Sequence, residues 1–167
     1  MVLLNFFIDQ LKDLNDIRKV LVVGCNWGVD LLSLKKIKPD WKITGVDGAK
    51  EIVSAGTQLM KSKGIDTLVY GDDGHLPFPD EFFDLVISLK HFSHIYQPLA
   101  ECLAKEMLRV ARYGIVQLED LRGPTLSMQM KLYSIPDIYL KLGCEIDVRS
   151  IKISDKNSGL YIIKVKK

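Results

Sequence analysis

Lys19-Val20-Leu21-Val22-Val23-Gly24-Cys25-Asn26-Trp27-Gly28 is the stretch on which the fold turns. Four apolar residues in a row, with no polar alternation, make a strand that is buried on both faces, as in parallel sheets. Gly24 breaks the run. Glycines at both ends of the loop let the backbone turn sharply and approach a ligand closely, and a helix starting at Gly28 offers free N–H groups to a carboxylate. Alone, the same glycines describe an ordinary tight strand-to-helix turn.

Working outward, the chain alternates between the two periods. Apolar residues at 3, 4, 7, 8, 11 and 14 predict an opening amphipathic helix. A helix is expected from Gly28 to about Ile37, stopped by Pro39. Trp41 to Val46 reads as a second strand, closed by Asp47-Gly48, and Lys50 to Lys63 as a helix ended by Gly64. Thr67 to Tyr70 and Phe83 to Ser88 read as strands three and four, flanking a loop with Pro77 and Pro79. A helix from about Pro98 to Ala111 follows, and Gly114 introduces a fifth strand, Ile115 to Leu118. Ile135 to Leu142 reads as a helix ended by Gly143. The final strands, Cys144 to Ile153 and Leu160 to Lys166, are joined by the hairpin residues Asp155, Asn157, Ser158 and Gly159. This pattern predicts one α/β domain over 1–167, a doubly wound and mostly parallel sheet with helices on both faces and a C-terminal antiparallel hairpin. Ligands in such sheets bind beyond the carboxyl ends of the strands, near the reversal of strand order. The loops after Val23, Val46, Tyr70, Ser88 and Leu118 are therefore the places to look.

The net charge of +2 gives no reason to expect nucleic acid or a membrane surface as partner. Three cysteines, Cys25, Cys102 and Cys144, form neither a disulfide framework nor a zinc pattern, so a reducing, cytoplasmic setting is expected. The apolar run Val2 to Ile8 is interrupted by Asn5 and followed by Asp9 and Lys12, which does not read as a signal peptide.

Asp47, ending strand two, can accept both hydroxyls of a ribose; it can equally cap the helix that follows. Within Gly71-Asp72-Asp73-Gly74-His75-Leu76-Pro77-Phe78-Pro79-Asp80, a carboxylate could take an adenine amino group while apolar neighbours cover the ring. The alternative is a plain turn. Asp72, Asp73 and His75 lack the further ligands a metal would need, so no metal is expected. After strand four, His91 and His94 could serve as a general base, since a histidine side chain changes charge near neutrality, or be polar loop residues only. Glu119 and Asp120 could touch a substrate or be solvated strand-end acids. Arg122 to Tyr133, with Met128 and Met130, reads as a lid or as a surface helix with one apolar face.

In the order of these segments the chain resembles a class I S-adenosylmethionine-dependent methyltransferase, of the subset with a Leu-Pro-Phe-x-Asp loop. The family's Val-Leu-Glu-Ile-Gly-Cys-Gly-x-Gly is matched by Val20 to Gly28. Its acidic strand end is matched by Thr44-Gly45-Val46-Asp47, and its third loop by Leu76-Pro77-Phe78-Pro79-Asp80 before Phe83-Asp84-Leu85-Val86-Ile87-Ser88. The resemblance implies a Rossmann-like fold and S-adenosyl-L-methionine as cofactor. Gly24, Cys25, Asn26 and Gly28 would line its methionine end, Asp47 and Gly48 its ribose, Asp72 and Asp73 its adenine. Ser88 and Leu89 would lie beneath the sulfonium. The acceptor would be a small molecule or a protein, approached from the side of His91 and His94. No Asn/Asp-Pro-Pro-Tyr/Phe loop follows strand four, which argues against nucleic acid.

Two residues depart from the pattern. Val22 stands where the family usually has an acid, and Asn26 where it has a glycine. The lost carboxylate removes a charge-assisted contact of roughly 1.5–3 kcal/mol; Asn26 tolerates a left-handed backbone better than most residues. These departures motivate a second reading, a non-catalytic binding or regulatory subunit of the same fold. A nicotinamide-dependent oxidoreductase ranks third, because Gly-x-Gly-x-x-Gly is absent. So small a chain leaves the acceptor side open or completed by a second chain, identical or not, with Phe6, Phe7 and Ile8 as the first apolar residues for such an interface.

Overall fold

Val20 to Val23 are buried to 2% exposure or less, as their unbroken apolar run requires, because the strand lies in mid-sheet between parallel neighbours. The computed structural model describes residues 16–65, 67–120, 134–154 and 158–166. The expected opening helix, Phe6 to Ile8, and the Arg122 to Tyr133 segment lie outside the described residues, as do 155–157 of the hairpin turn.

In chain order the elements are β1 (Lys19–Val23), α1 (Val29–Ile37), β2 (Lys42–Asp47), α2 (Lys50–Lys61), β3 (Thr67–Tyr70), β4 (Phe83–Leu89), a 3-10 turn (Phe92–His94), α3 (Gln97–Val110), β5 (Ala111–Asp120), α4 (Ile135–Lys141), β6 (Glu145–Ser154) and β7 (Ser158–Lys166). They form one seven-stranded sheet in the order β3-β2-β1-β4-β5-β7-β6. The first five strands run parallel, and β7 is antiparallel to both β5 and β6. This is the mostly parallel Rossmann-like sheet with a terminal hairpin that the alternation of strand and helix predicts.

The two sheet faces build two cores. Val20, Val22, Ile43 and Ile87 pack beneath α1 and α2 with Leu31, Leu34, Trp41 and Met60. Leu21, Val23, Val86 and Ile163 face α3 and α4 with Leu103, Met107 and Tyr139. Burying each such aliphatic side chain contributes about 1.5–3 kcal/mol relative to exposure.

The fifth strand departs from expectation. Gly114 lies inside it rather than ahead of it, because β5 starts directly at the end of α3. A Cβ on Gly114 would run into the Val165 carbonyl oxygen of β7, so only glycine permits that backbone approach. The β4–β5 register shifts between Phe83 and Leu85, and this irregularity absorbs the residues between Ala111 and Gly114. The Phe92–His94 turn after β4 has no periodicity that would announce it.

Strand order reverses between β1 and β4. The crevice at that reversal is bounded by the loops after β1 and β4, with β2 and β3 to one side and β5 to the other.

Candidate functional site

The loop after β1 is fixed by its backbone. Gly24 and Cys25 both donate N–H to the Val46 carbonyl, at 3.0 and 3.1 Å, which ties the loop to the end of β2. Gly24, Asn26 and Gly28 have φ of 69°, 48° and 83°, so three of these five residues are left-handed. Asn26 takes this conformation and uses its side-chain oxygen to accept from Trp27 N at 2.8 Å. The Cys25 thiol turns away into the core at 3% exposure, and burial, aided by the Asp47 charge, pushes its pKa up to about 12. Only the backbone of Cys25 is on the crevice side.

Asp47 joins two loops. One carboxylate oxygen accepts from Asn26 N at 2.8 Å, the other from Ala49 N at 2.9 Å. It does not occupy the N-cap of α2, which is Ala49. The carboxylate is half-buried, and each oxygen keeps acceptor capacity beyond these single bonds. Gly48 is exposed beside it; a Cβ there would have only the Gly71 carbonyl oxygen near, at 3.7 Å.

The third loop is shaped by two residues that lie far away in sequence and that sequence reasoning missed. Glu106 accepts from Leu76 N at 2.8 Å, and Arg109 donates to the carbonyl oxygens of Leu76 and Phe78 at 2.9 and 2.8 Å. Arg109 also bridges Glu106 and Asp80. Leu76 is buried beneath, at 1% exposure. Within the loop Asp72 is exposed, and one of its oxygens accepts from Gly74 N and His75 N, which is turn chemistry. Asp73 points elsewhere, onto the Nε2 atom of His91 at 2.8 Å.

His91 thereby becomes the residue that spans the crevice. Its ring packs on Gly24 so closely that a Cβ there would collide with the Cγ, Nδ1 and Cβ atoms of the histidine. Burial works against the imidazolium, but the hydrogen bond to Asp73 and the charges of Asp73, Glu119 and Asp47 outweigh it and hold its pKa above the usual histidine value. His94 is exposed at the end of the same turn. Ser88 is fully buried with its hydroxyl unpaired among the described residues, and Leu89 is half-buried against the α1–α2 core.

Of the residues expected around a ligand, Asn26 and Asp47 are bonded to each other with Gly48 alongside, Asp73 and His91 are paired against Gly24, and Gly28 faces Met60. Asp72 is exposed and bonded within its own turn, His94 is exposed, and the side chains of Cys25, Ser88 and Leu89 are set into or against the sheet. On the β2 side, a half-buried carboxylate with spare acceptor capacity adjoins an open glycine. On the β1 side, the His91 ring must shift before a ligand can lie against Gly24.

A family model described as a methyltransferase domain matches residues 20–114. Ajmaline N-methyltransferase of Rauvolfia serpentina is 34% identical over 100 residues, covering 58% of this chain and 33% of that protein. Demethylmenaquinone methyltransferase of Geobacillus stearothermophilus is 30% identical over 122 residues, covering 70% and 50% respectively. The chain thus spans half or less of the length of these relatives. Among solved structures, a SAM-dependent methyltransferase from Aquifex aeolicus superposes with a TM-score of 0.71 at 16% identity, covering 95% of this chain and 88% of that one. A phosphoethanolamine N-methyltransferase of Haemonchus contortus gives 0.77 at 15% identity, covering 99% and 52%. At these identities the structures speak for the fold.

Proposed function

The chain belongs to the class I S-adenosylmethionine-dependent methyltransferases, and from that premise we propose that it methylates an O, N or S atom of a small-molecule acceptor. A protein acceptor is the variant of this reading to test second, since the relatives above are named for ajmaline and demethylmenaquinone rather than for a macromolecule. The observation that carries the reading is Asp47, a half-buried carboxylate held between the loops after β1 and β2 beside the strand reversal.

When bound, the cofactor supplies an electrophilic methyl on a positively charged sulfur; the protein's work is alignment and, where the acceptor needs it, removal of a proton. Asp47 accepts from the ribose hydroxyls while Gly48 leaves room alongside. The backbone of Gly24, Cys25, Asn26 and Gly28 lines the methionine end, and Asp72 serves the adenine side. Ser88 and Leu89 support the floor from within the sheet. His91 is favoured over His94 as the base. Asp73 accepts from Nε2, so in the neutral ring that nitrogen carries the proton and Nδ1 keeps its lone pair on the side facing Gly24. Three free cysteines and a near-neutral charge fit a cytoplasmic enzyme.

Titration calorimetry with S-adenosylmethionine and S-adenosylhomocysteine tests this reading. Both should bind, and Asp47→Ala should weaken each at least about tenfold, the loss of a charge-assisted hydrogen bond. No heat from either ligand at millimolar concentration would contradict it.

A further inference from the structure

Glu119, at the end of β5, is a buried carboxylate that nothing in the reading above employs. It is 1% exposed. Its Oε1 atom accepts from Phe92 N at 3.2 Å and from Gln117 Nε2 at 3.0 Å. Gln117 is itself fully buried, and its side-chain oxygen accepts from the Tyr139 hydroxyl at 2.8 Å. The chain of bonds runs from α4 through β5 into the first residue of the Phe92–His94 turn. Phe92 N–H lies at the start of that turn, where the bond to Glu119 caps it, and His91 is the N-cap residue. The phenylalanine ring, 1% exposed, anchors the same residue in the α3–α4 core. His91, one residue earlier, is thus held in place from behind by Glu119 and from the front by Asp73.

We infer that Glu119 is a positioning residue for His91, setting the turn that carries the imidazole and supplying a second negative charge behind it. The capping bonds by themselves do not call for a carboxylate. The Phe92 and Gln117 donors both go to Oε1, and the Ser93 backbone N–H also acts on the carboxylate. An uncharged glutamine could accept the same two bonds. A buried carboxylate is costly to keep, and among the described residues its charge acts on His91. The charged groups that face the His91 ring are Asp73 from the loop after β3, Asp47 from the end of β2 and Glu119 from β5, all acidic. Burial raises the Glu119 pKa to about 7, against the bonds from Gln117, Phe92 and Ser93 and the charge of His91, which lower it.

This inference rests on the reading of His91 as the acceptor-side base, but its readout is the imidazole itself, so the two can fail separately. Glu119→Gln keeps the shape and both accepted bonds while removing the charge. In NMR titrations of the His91 ring, the midpoint should fall in Glu119→Gln, because a nearby negative charge that favours the imidazolium is removed. Asp73→Asn, which removes the direct partner, should lower it further. An unchanged His91 midpoint in a folded Glu119→Gln protein would overturn the inference and leave Glu119 as a cap alone. Should that variant not fold, Tyr139→Phe releases Gln117 without touching any charge. Faster Phe92 amide exchange with the His91 midpoint retained then supports the chain of contacts; unchanged exchange overturns it. If methyl transfer is observed, the acid limb of its pH–rate profile should move with the imidazole midpoint. Absence of transfer with the midpoint shifted would defeat the base assignment and leave the positioning intact.

Discussion

Asn26 and Val22, the two departures from the family's pattern, have different physical standing once their surroundings are known. Asn26 sits at φ 48° and caps its own neighbour, so it fills the role a glycine would have there. Asn26→Gly should change stability by no more than about 1 kcal/mol in chemical denaturation, since the left-handed conformation costs glycine nothing. Val22 is 1% exposed in the α1–α2 core. Restoring an acid there would bury a charge among apolar groups, so Val22→Glu should lower stability by roughly 3 kcal/mol or more, seen as a fall in denaturation midpoint. An unchanged midpoint would mean that a polar partner is within reach of that position. At this scale the sequence is legible where a residue acts through its own backbone, as the glycines and Asp47 do. The pairing of Asp73 with His91, and of Glu119 with Phe92, joins residues whose spacing carries no period, and was not legible.

Elements explain why a short motif is long in its requirements. Leu76 to Asp80 holds its shape through Arg109 and Glu106 on α3, and the Arg109 hydrogen bond holds the Glu106 carboxyl below its ordinary range. Arg109→Met should free the loop and cost about 2 kcal/mol, leaving the two carbonyl acceptors to water. Proteolysis within 76–82 should accelerate, while α3, buried through Ala100, Leu103, Ala104 and Met107, stays intact by circular dichroism. A loop as protected as before would show that Leu76 burial alone holds it. Strand and helix positions were readable from apolar periodicity; the start of β5 was not. Its boundary depends on how close β7 passes to Gly114, a contact with Val165 far along the sequence and invisible to a local window.

Over the whole molecule, strand–helix–strand crossovers make the first five strands parallel, and the reversal between β1 and β4 gathers the loops after the strands. The same gathering of acids leaves a signature in stability. The Glu119 pKa is raised in the fold from 4.5 to about 7, so its contribution is full below 4.5 and is lost as pH rises toward 7. His91, raised above 6.5, likewise contributes below 6.5 and loses that contribution as pH climbs through its folded value. Glu106, lowered below 4.5, contributes above 4.5 and loses it on acidification. Melting temperature by calorimetry should therefore peak between pH 4.5 and 6.5 and decline toward about pH 8, with Glu119→Gln flattening the decline. A steady rise from about pH 5 to 8 would contradict these assignments. The account as a whole depends on a nucleoside seated at the reversal, and a crystal structure soaked with S-adenosylhomocysteine tests that most directly. The ribose hydroxyls should lie on Asp47 and the sulfur opposite His91, with the imidazole displaced from Gly24. A ligand bound elsewhere, or His91 still packed on Gly24 with Asp47 holding only its backbone partners, would contradict it.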